Sequence, residues 1–283
     1  MDALGYYNGT WGSLDDMTVP MNDRACFFGD GVYDAAICYR KTIYLLDRHV
    51  DRFFNSAGLL EINLGFSKEH LKAILNEMTA KVDHDEVLVY WQVSRGTARR
   101  NHAFPDGPSN LWIMIKAAVV ADLSKKIKLI TMEDTRFLHC NIKTINLIPG
   151  VIASQRAKEA EAHEAVFHRG NIVTECAHSN VHILKNGTFI THPADRYILK
   201  GIARGHLVQV CGDIGVPVEE REFTLDELFD ADEALVSSTS TFGLGVDCID
   251  DRPVGGRAPE LLKKIQDALM ADFSRATGYA KQP

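Results

Sequence analysis

The chain has 283 residues, a length that fits one large domain or two medium ones. Hydrophobic residues make up 46% of it and charged residues 24%, as in ordinary globular proteins, and no apolar run approaches the length of a membrane span. The net charge of −7 argues against nucleic acid or an anionic membrane surface as the main partner. Six cysteines lack CxxC or metal-ligand spacing, and the polar, acidic N-terminus is not typical of a secretory signal. We therefore expect reduced thiols, a cytoplasmic location and no metal site.

Strand and helix patterns alternate over the first 120 residues. In chain order they predict a strand and turn at 37–46, a helix after the N-cap candidate Asp47, a helix after the N-cap candidate Ser67, and strands at Glu86–Val93 and Asn110–Val120. The segment 121–125 changes in composition and is the candidate linker. The predicted domains are therefore a small N-terminal domain, 1–120, and a larger C-terminal domain, 121–283, which carries Lys143.

The second half mixes helices with hairpin signals. The predicted elements are a strand at Lys128–Glu133, a helix at Val151–Ala162, hairpin turns at 168–171 and 185–188, a helix at Leu199–Val210 that Gly201 opens, a helix with the capping box Thr224 and Glu227, a strand at Glu233–Ser237 and a helix at Pro259–Ala276. These patterns predict a mixed α/β protein with hairpins rather than a strict array of βαβ units.

Two ionisable residues are candidates for chemistry, and each has a plainer interpretation. Lys143 lies among apolar residues in the stretch NIKTINL, where burial would favour the neutral, nucleophilic amine. The alternative is an edge-strand lysine that points into water. Glu175 follows a hairpin in the stretch IVTEC, and it is either a buried carboxylate paired with a cation or a solvated residue at a strand end.

Loops and helix starts supply further candidates. Gly201 precedes a helix whose first N–H groups suit a phosphate, although glycine also serves plain turns. The hydroxyl run 237–241 offers donors, or else only local bonds at a strand end. Arg100 and His102 can hold a carboxylate, or can form an exposed basic turn. Tyr33 follows a glycine turn, where a tyrosine belongs to the core or a hinge more often than to a catalytic group.

The order of seven motifs along the chain resembles the class IV, or fold type IV, aminotransferases. The motifs are GDGVY, LLDRHVDR, SRGT followed by R-x-H, NIKTINL, VTE followed by SN, ILKGI-x-R and SSTST. The resemblance extends from about residue 7 to about residue 254 and is strongest to bacterial D-amino-acid aminotransferases. It implies a small α+β domain, a larger α/β domain with a barrel-like sheet, pyridoxal 5′-phosphate between the two, and a homodimer that acts on an amino acid and a 2-oxo acid.

The resemblance also implies a role for individual residues. Lys143 matches the lysine that forms the Schiff base and shuttles the proton, and Glu175 matches the carboxylate that pairs with the pyridine nitrogen. At the cofactor phosphate, the family's binding groups correspond to Arg52, the backbone of Ile202 and Ala203, and the turn Thr239–Ser240. Leu199 matches the residue that packs against the cofactor ring, and His49 matches a residue near the cofactor. Three residues match the group that binds the substrate α-carboxylate, namely Tyr33, Arg100 and His102.

Four positions depart from the family pattern. Ala203 replaces a threonine, Ala177 and His178 replace small hydroxyl residues, and His182 replaces Phe or Tyr. These changes leave open a branched-chain L-amino-acid transaminase or an aminodeoxychorismate lyase of the same fold. The R-x-H pair favours the D-specific transaminase. A non-catalytic relative without cofactor is a further alternative, against which the retention of Lys143 and Glu175 argues.

Overall fold

The structure is a computed structural model, and it describes residues 3–280. Its contacts divide these residues into two compact units. Unit 1 comprises 3–120, 142–146 and 273–280, and unit 2 comprises 121–141 and 147–272. Each unit has its own sheet and its own apolar core.

Unit 1 is built on a six-stranded antiparallel sheet. Its elements are β1 (Ala3–Tyr7), β2 (Thr10–Ser13), α1 (Arg24–Phe28), β3 (Gly31–Tyr39), β4 (Thr42–Ile43), α2 (Leu46–Leu59), α3 (Lys68–Ala80), β5 (Glu86–Ser94) and β6 (Asn110–Ala117). The strand order is β2-β1-β6-β5-β3-β4. The apolar faces of α2 and α3 join the core that covers this sheet, and α2 packs against β3.

The helix starts in unit 1 show which local signals were sufficient. Ser67 caps α3 as predicted, because its side chain accepts a hydrogen bond from the N–H of His70. The prediction for Asp47 is wrong. The residue lies in the first turn of α2, and the N-cap is Leu45 in the left-handed conformation (φ 52°). The tight turn after β4, rather than a capping side chain, decides where α2 begins.

Unit 2 is built on a mixed sheet with the order β12-β11-β10-β13-β14-β7-β8-β9, and β15 pairs with β14. Its elements are β7 (Lys126–Glu133), α4 (Ile148–Glu159), β8 (Glu164–Arg169), β9 (Ile172–Cys176), β10 (Asn180–Lys185), β11 (Thr188–Thr191), α5 (Ile202–Asp213), β12 (Val218–Glu220), α6 (Leu225–Phe229), β13 (Glu233–Ser237), β14 (Leu244–Ile249), β15 (Arg252–Pro253) and α7 (Pro259–Thr277), whose residues from Phe273 onward belong to unit 1. Crossovers through α4 and α5 make the pairs β7–β8 and β11–β12 parallel. The chain returns from β9 to β10 with the Cys176 N–H bonded to the Ser179 carbonyl, so the sheet curls toward closure.

Local signals in unit 2 are largely confirmed. Thr224 and Glu227 form the predicted capping box of α6, and Asn186–Gly187 forms the predicted turn between β10 and β11 with positive φ at both residues. The helix α4 starts at Ile148, earlier than the predicted Val151, because Pro149 suits a first helical turn.

The predicted fold class, a mixed α/β protein with a curled larger sheet, is confirmed. The place of Lys143 needs a correction, because its segment 142–146 hydrogen bonds to β3 and belongs to unit 1 rather than to the C-terminal unit. The domain boundary at residue 120 stays a prediction. Within residues 3–280, no helix combines the length and the apolar character that a membrane span needs.

Candidate active site

Lys143 is held through its backbone. The Tyr33 N–H donates to the Lys143 carbonyl at 3.0 Å, and the Lys143 N–H donates to Ser56 Oγ at 3.2 Å. The next residue, Thr144, forms an isolated antiparallel β-bridge with Val32. The side chain of Lys143 is half-buried, and its Nζ lies 4.3 Å from the centroid of the Tyr33 ring. The edge of β3 therefore fixes the backbone of Lys143, and the amine of its side chain lies over an aromatic ring.

A buried charged triad lies near the same part of unit 1. The Asp34 carboxylate is fully buried and accepts hydrogen bonds from His49 Nδ1 at 2.8 Å and from Arg52 Nε and Nη2 at 2.8 and 2.7 Å. Burial alone would raise the pKa of Asp34, but the charges of Arg52 and His49 hold it well below its usual range. Burial lowers the pKa of His49, and Asp34 offsets this only in part. Arg52 is thus a cation fixed in place by a two-pronged ion pair.

The three residues predicted to bind the substrate carboxylate fall into two groups. Arg100 and His102 are exposed and lie on the ring of Phe28, with the Arg100 Cζ 5.2 Å and the His102 ring centroid 5.1 Å from the Phe28 centroid. Tyr33 instead lies beneath the Lys143 amine and stacks on Tyr90 at 5.3 Å. The structure therefore places Arg100 and His102 at the ring of Phe28 and Tyr33 at the Lys143 amine, and the shared role of the three residues at the substrate carboxylate stays a prediction.

Glu175 is a buried carboxylate, which excludes the alternative of a solvated strand end. Its Oε1 accepts from Arg136 Nη1 at 2.5 Å, and its Oε2 accepts from Asn180 Nδ2 and the Leu199 N–H, both at 3.0 Å. Three donors from different elements of unit 2 thus fix the carboxylate.

Sequence reasoning missed Arg136, the cation beside Glu175. Arg136 also donates to Asp134, through Nε at 2.9 Å and Nη2 at 2.9 Å, and Asp134 accepts further from Arg169 Nε at 3.1 Å. Burial would lower the pKa of Arg136, but the bond to Asp134 and the charge of Glu175 raise it above its usual range. The available signal was the pattern D-x-R directly after β7, where charged side chains at a strand end had no other assignment.

The start of α5 is an open helix N-terminus. Its N-cap is Gly201, with no side-chain cap, so the first-turn N–H groups, which include those of Ile202 and Ala203, have no capping acceptor from the N-cap residue. A Cβ on Gly201 would collide with Asn180 Oδ1, so a larger residue here would have to displace the Asn180 side chain from its present position. Asn180 Nδ2 also donates to the Leu199 carbonyl at 3.0 Å, which ties this loop to Glu175.

Some of the hydroxyl residues that follow β13 form hydrogen bonds with one another. Ser238 Oγ lies 2.9 Å from Thr241 Oγ1 and accepts from the N–H of Ser240 at 3.3 Å. Thr239 is half-buried and Ser240 is exposed. The local bonds of the plainer interpretation are therefore present at Ser238, while Thr239 and Ser240 form the outer part of the turn.

The positions that depart from the family pattern differ in setting. His178 is exposed, and its N–H donates to Glu164 Oε1 at 2.5 Å. His182 is fully buried between Thr191 Oγ1 at 2.9 Å and Ser237 Oγ at 2.8 Å. Burial, aided by the charge of Arg204, places the pKa of His182 well below its usual value, so it acts as a neutral core residue.

Comparison with known proteins identifies the family. A model of the amino-transferase class IV family matches residues 31–249. The chain is 36% identical over 277 residues to the D-alanine aminotransferase of Listeria innocua, covering 94% of this chain and 96% of that one. It is 36% identical over 269 residues to the D-alanine aminotransferase of Staphylococcus haemolyticus, covering 93% and 95%. This chain belongs to the class IV aminotransferases, as predicted.

Solved structures agree on the fold. The branched-chain aminotransferase of the archaeon Thermoproteus uzoniensis, solved with norvaline, has a TM-score of 0.87 at 20% identity and covers 98% of this chain and 96% of its own. The Escherichia coli branched-chain amino acid aminotransferase has a TM-score of 0.88 at 20% identity and covers 100% and 98%. At such identity the likeness shows the fold alone and does not favour the branched-chain alternative. Class IV aminotransferases depend on pyridoxal 5′-phosphate, so the predicted cofactor is confirmed with the family.

Proposed function

We propose that this chain transfers the amino group of D-amino acids, of the D-alanine or D-glutamate type, to a 2-oxo acid. The observation that carries the proposal is the placement of Arg100 and His102 on the ring of Phe28. Two donors held at one place suit the α-carboxylate of a substrate, because charge-assisted bonds to carboxylates are among the stronger polar contacts. The relatives at 36% identity are named D-alanine aminotransferases, which supports the same substrate class.

The residues present fit the cofactor of the family. Pyridoxal 5′-phosphate, when bound, supplies an electron sink for the charge that develops at the substrate Cα. Lys143 offers a half-buried amine, Glu175 a buried carboxylate and α5 an open N-terminus. We assign Lys143 to the aldehyde of the cofactor, Glu175 to its ring nitrogen and Leu199 to the face of its ring. The residues that we assign to the cofactor phosphate are Arg52, Ile202, Ala203, Thr239 and Ser240.

Lys143 is assigned the proton transfer. Its amine takes the proton from the substrate Cα and later returns a proton, which is the work of a general base and acid. The backbone hydrogen bonds to Tyr33 and Ser56 fix the position of the Lys143 Cα. The flexible side chain lets the Nζ move between the substrate Cα, which loses the proton, and the cofactor carbon C4′, which would receive it. His49 is assigned a supporting role, since its buried ring contacts the Asp34 carboxylate at 2.8 Å.

The stereochemical preference depends on the geometry of the lysine and the carboxylate anchor. A single lysine removes only a proton that is presented on its own side. The enantiomer that presents its Cα hydrogen there depends on where the α-carboxylate is anchored. An anchor at Arg100 and His102 favours the D-enantiomer in this assignment, and an anchor on the opposite side favours the L-enantiomer. Tyr33 assists from its place beneath the Lys143 amine.

Glu175 is assigned to keep the ring nitrogen protonated. The Glu175 carboxylate forms a buried ion pair with Arg136 at 2.5 Å, and the guanidinium compensates the negative charge of the carboxylate. An anionic carboxylate at hydrogen-bond distance favours a protonated nitrogen partner. Arg136 also forms an ion pair with Asp134, so the pair of Arg136 and Glu175 is part of a larger charged network.

We also propose that the protein forms a homodimer. The outer face of α4 carries Ile148, Val151 and Ile152, which are 69%, 60% and 50% exposed and follow helical spacing. Together with the exposed Leu147 they form an apolar stripe, and such stripes mark interfaces with other proteins. A second copy of this chain is the occupant that the family resemblance implies.

A cytoplasmic location completes the proposal. All six cysteines are free of disulfides, and Cys26 is exposed as a free thiol. Free, scattered cysteines suit a reducing compartment.

An amino-donor screen tests the proposed function. The holoenzyme is supplied with both enantiomers of alanine, glutamate, aspartate and leucine, with 2-oxoglutarate and pyruvate as acceptors. We expect D-alanine or D-glutamate to be the best donor. A preference for L-leucine would replace the proposal with the branched-chain activity. Inert enantiomers together with cleavage of aminodeoxychorismate would replace it with the lyase activity.

A further inference from the structure

The short helix α1 holds the backbone of the loop that carries Arg100 and His102. Its first residue, Arg24, is buried with 3% of its surface exposed. The Arg24 Nη1 donates to the carbonyls of Asn101 at 2.6 Å and Ala103 at 3.2 Å, and Nη2 donates to the carbonyl of His102 at 3.4 Å. One rigid guanidinium thus binds three consecutive peptide carbonyls, which a flexible lysine ammonium would not do as well.

Arg24 is itself held by a carboxylate that it shares with a second arginine. The Asp30 Oδ2 accepts from Arg24 Nε at 2.7 Å and from Arg95 Nε at 3.0 Å. Arg95 stacks on the next residue of the loop, with its Cζ 3.6 Å from the centroid of the Phe104 ring. The loop is therefore held at 101–103 and again at Phe104, by two arginines that bind the same anion.

The last residue of α1, Phe28, brings the two functional side chains together. The Arg100 Cζ lies 5.2 Å and the His102 ring lies 5.1 Å from the Phe28 centroid, while the Arg24 Cζ lies 4.8 Å from it. Guanidinium groups gain free energy on an aromatic face, and more so where water is partly excluded. An exposed arginine and histidine that would otherwise sample many rotamers thus both contact one aromatic ring.

The helix can serve as a fixed reference because both of its ends are anchored. Asp23 caps it by accepting from the Ala25 N–H at 2.8 Å, and its other oxygen accepts from Ser94 Oγ at 2.9 Å and Asn110 Nδ2 at 2.8 Å. These two donors lie at the adjoining ends of β5 and β6. Gly29 ends the helix in the left-handed conformation (φ 60°).

We propose that α1 is the positioning element of the substrate-carboxylate site, in which Arg24 sets the path of the loop and Phe28 aligns the side chains of Arg100 and His102. Arg24 and Phe28 act through the loop and are positioning residues, not catalytic ones. The inference rests on the proposed function, which assigns the carboxylate to Arg100 and His102. Misplacement of such a pair weakens substrate binding more than the chemical step, provided that the lysine and cofactor contacts are intact.

The test uses Phe28 first, because it is half-buried and tolerates substitution better than the buried Arg24. Phe28→Leu removes the aromatic face and should raise the KM for D-alanine about fivefold to tenfold, with kcat little changed. It should weaken competitive inhibition by acetate to the same extent. Phe28→Tyr keeps the ring and should restore both values. Phe66→Leu is the matched control, a half-buried phenylalanine of unit 1 that packs on Phe54 and His70, and should leave both values unchanged.

A double-mutant cycle separates positioning from general damage. Arg100→Ala should raise the KM strongly, and Phe28→Leu combined with Arg100→Ala should cost clearly less than the sum of the two single effects, because part of the effect of Phe28 is exerted through Arg100 and the rest through His102. Arg24→Lys should raise the KM about tenfold and couple to Arg100→Ala in the same way. Cofactor absorbance and melting temperature of the Phe28 variants should match those of the parent protein.

The outcomes distinguish the two claims. A normal KM in Phe28→Leu, with a raised KM in Arg100→Ala, overturns the role of α1 and leaves the proposed function standing. Effects of the two substitutions that simply add would also overturn it, since positioning through Arg100 requires coupling. A normal KM in Arg100→Ala overturns the carboxylate site of the proposed function, and the role of α1 with it.

Discussion

The two regions that carry the candidate site are held in opposite ways. Around Lys143, in unit 1, the backbone is fixed and the side chain is not: Ser56 and Tyr33 bond to its main chain, while its amine rests on a ring. Around Glu175, in unit 2, the carboxylate itself is fixed by Arg136, Asn180 and the Leu199 N–H. Lys143, to which we assign the proton transfer, is thus held by its backbone, and Glu175, to which we assign a constant charge, is held by its own carboxylate oxygens.

The loop that carries Arg100 and His102 follows the pattern of the Lys143 region. Arg24 binds the backbone at 101–103, and the side chains of Arg100 and His102 stay exposed. The triad of Asp34, His49 and Arg52 follows the pattern of the Glu175 region, since the buried Asp34 carboxylate is held through its own oxygens by His49 and Arg52. Both ways of holding a residue therefore occur in unit 1, and the division follows the role that we propose for each residue.

Removal of the Lys143 amine should have the largest effect. Lys143→Ala should lower kcat by at least about a hundred- to ten-thousandfold, the usual loss when general acid–base catalysis disappears. Stability should change little, because the bonds of the residue to Ser56 and Tyr33 are made by backbone. The measurements are steady-state kinetics, thermal unfolding, and borohydride reduction followed by peptide mapping, which should label Lys143 in the parent protein.

Lys116→Ala serves as the control, because it removes an exposed lysine from β6 of the same unit. Label on any lysine other than Lys143 would contradict the assignment. A large loss of stability in Lys143→Ala would contradict the view that only the backbone of this residue supports the fold.

Neutralisation of the fixed carboxylate should have the next largest effect. Glu175→Gln retains the shape but not the charge, and should slow removal of the Cα proton about a hundredfold, as for the loss of one well-placed electrostatic contact. The cofactor should be retained, and Arg136 keeps its bonds to Asp134, so the structure should persist. Single-turnover kinetics with deuterated D-alanine would measure the proton step directly. Unchanged kinetics would mean that Glu175 does not act on the ring nitrogen.

The smallest effect is expected at the start of α5. Ala203→Thr adds a hydroxyl to the open N-terminus, and one neutral hydrogen bond contributes about 0.5–1.5 kcal/mol net. Cofactor retention during dialysis should therefore tighten by up to about tenfold or stay unchanged. Ala160→Thr, at the C-terminal end of α4 in unit 2, controls for the effect of a threonine as such. A large loss of cofactor from Ala203→Thr would show that the position is sterically closed and that it does not face the phosphate.

The amino-acid sequence was sufficient wherever the signal was local. Ser67 and Thr224 fixed two helix starts, because a capping side chain bonds to an N–H only a few residues away. Asn186–Gly187 fixed a hairpin turn, because few residue pairs accept positive φ at both positions. The order of short motifs was sufficient for the family, and with it for the choice of Lys143 and Glu175 as candidates.

Tertiary structure alone decided which groups surround those candidates. Arg136 meets Glu175 across 39 positions of sequence, and Arg24 meets the carbonyl of Asn101 across 77. No periodicity or capping pattern reports such contacts, since they depend on strand order and on which segments the sheet brings together. The same reason placed Lys143 with the N-terminal sheet, because β3 pairs with a segment more than a hundred residues later in the chain. Short motifs thus named the candidate residues, and only long-range packing decided which groups hold them.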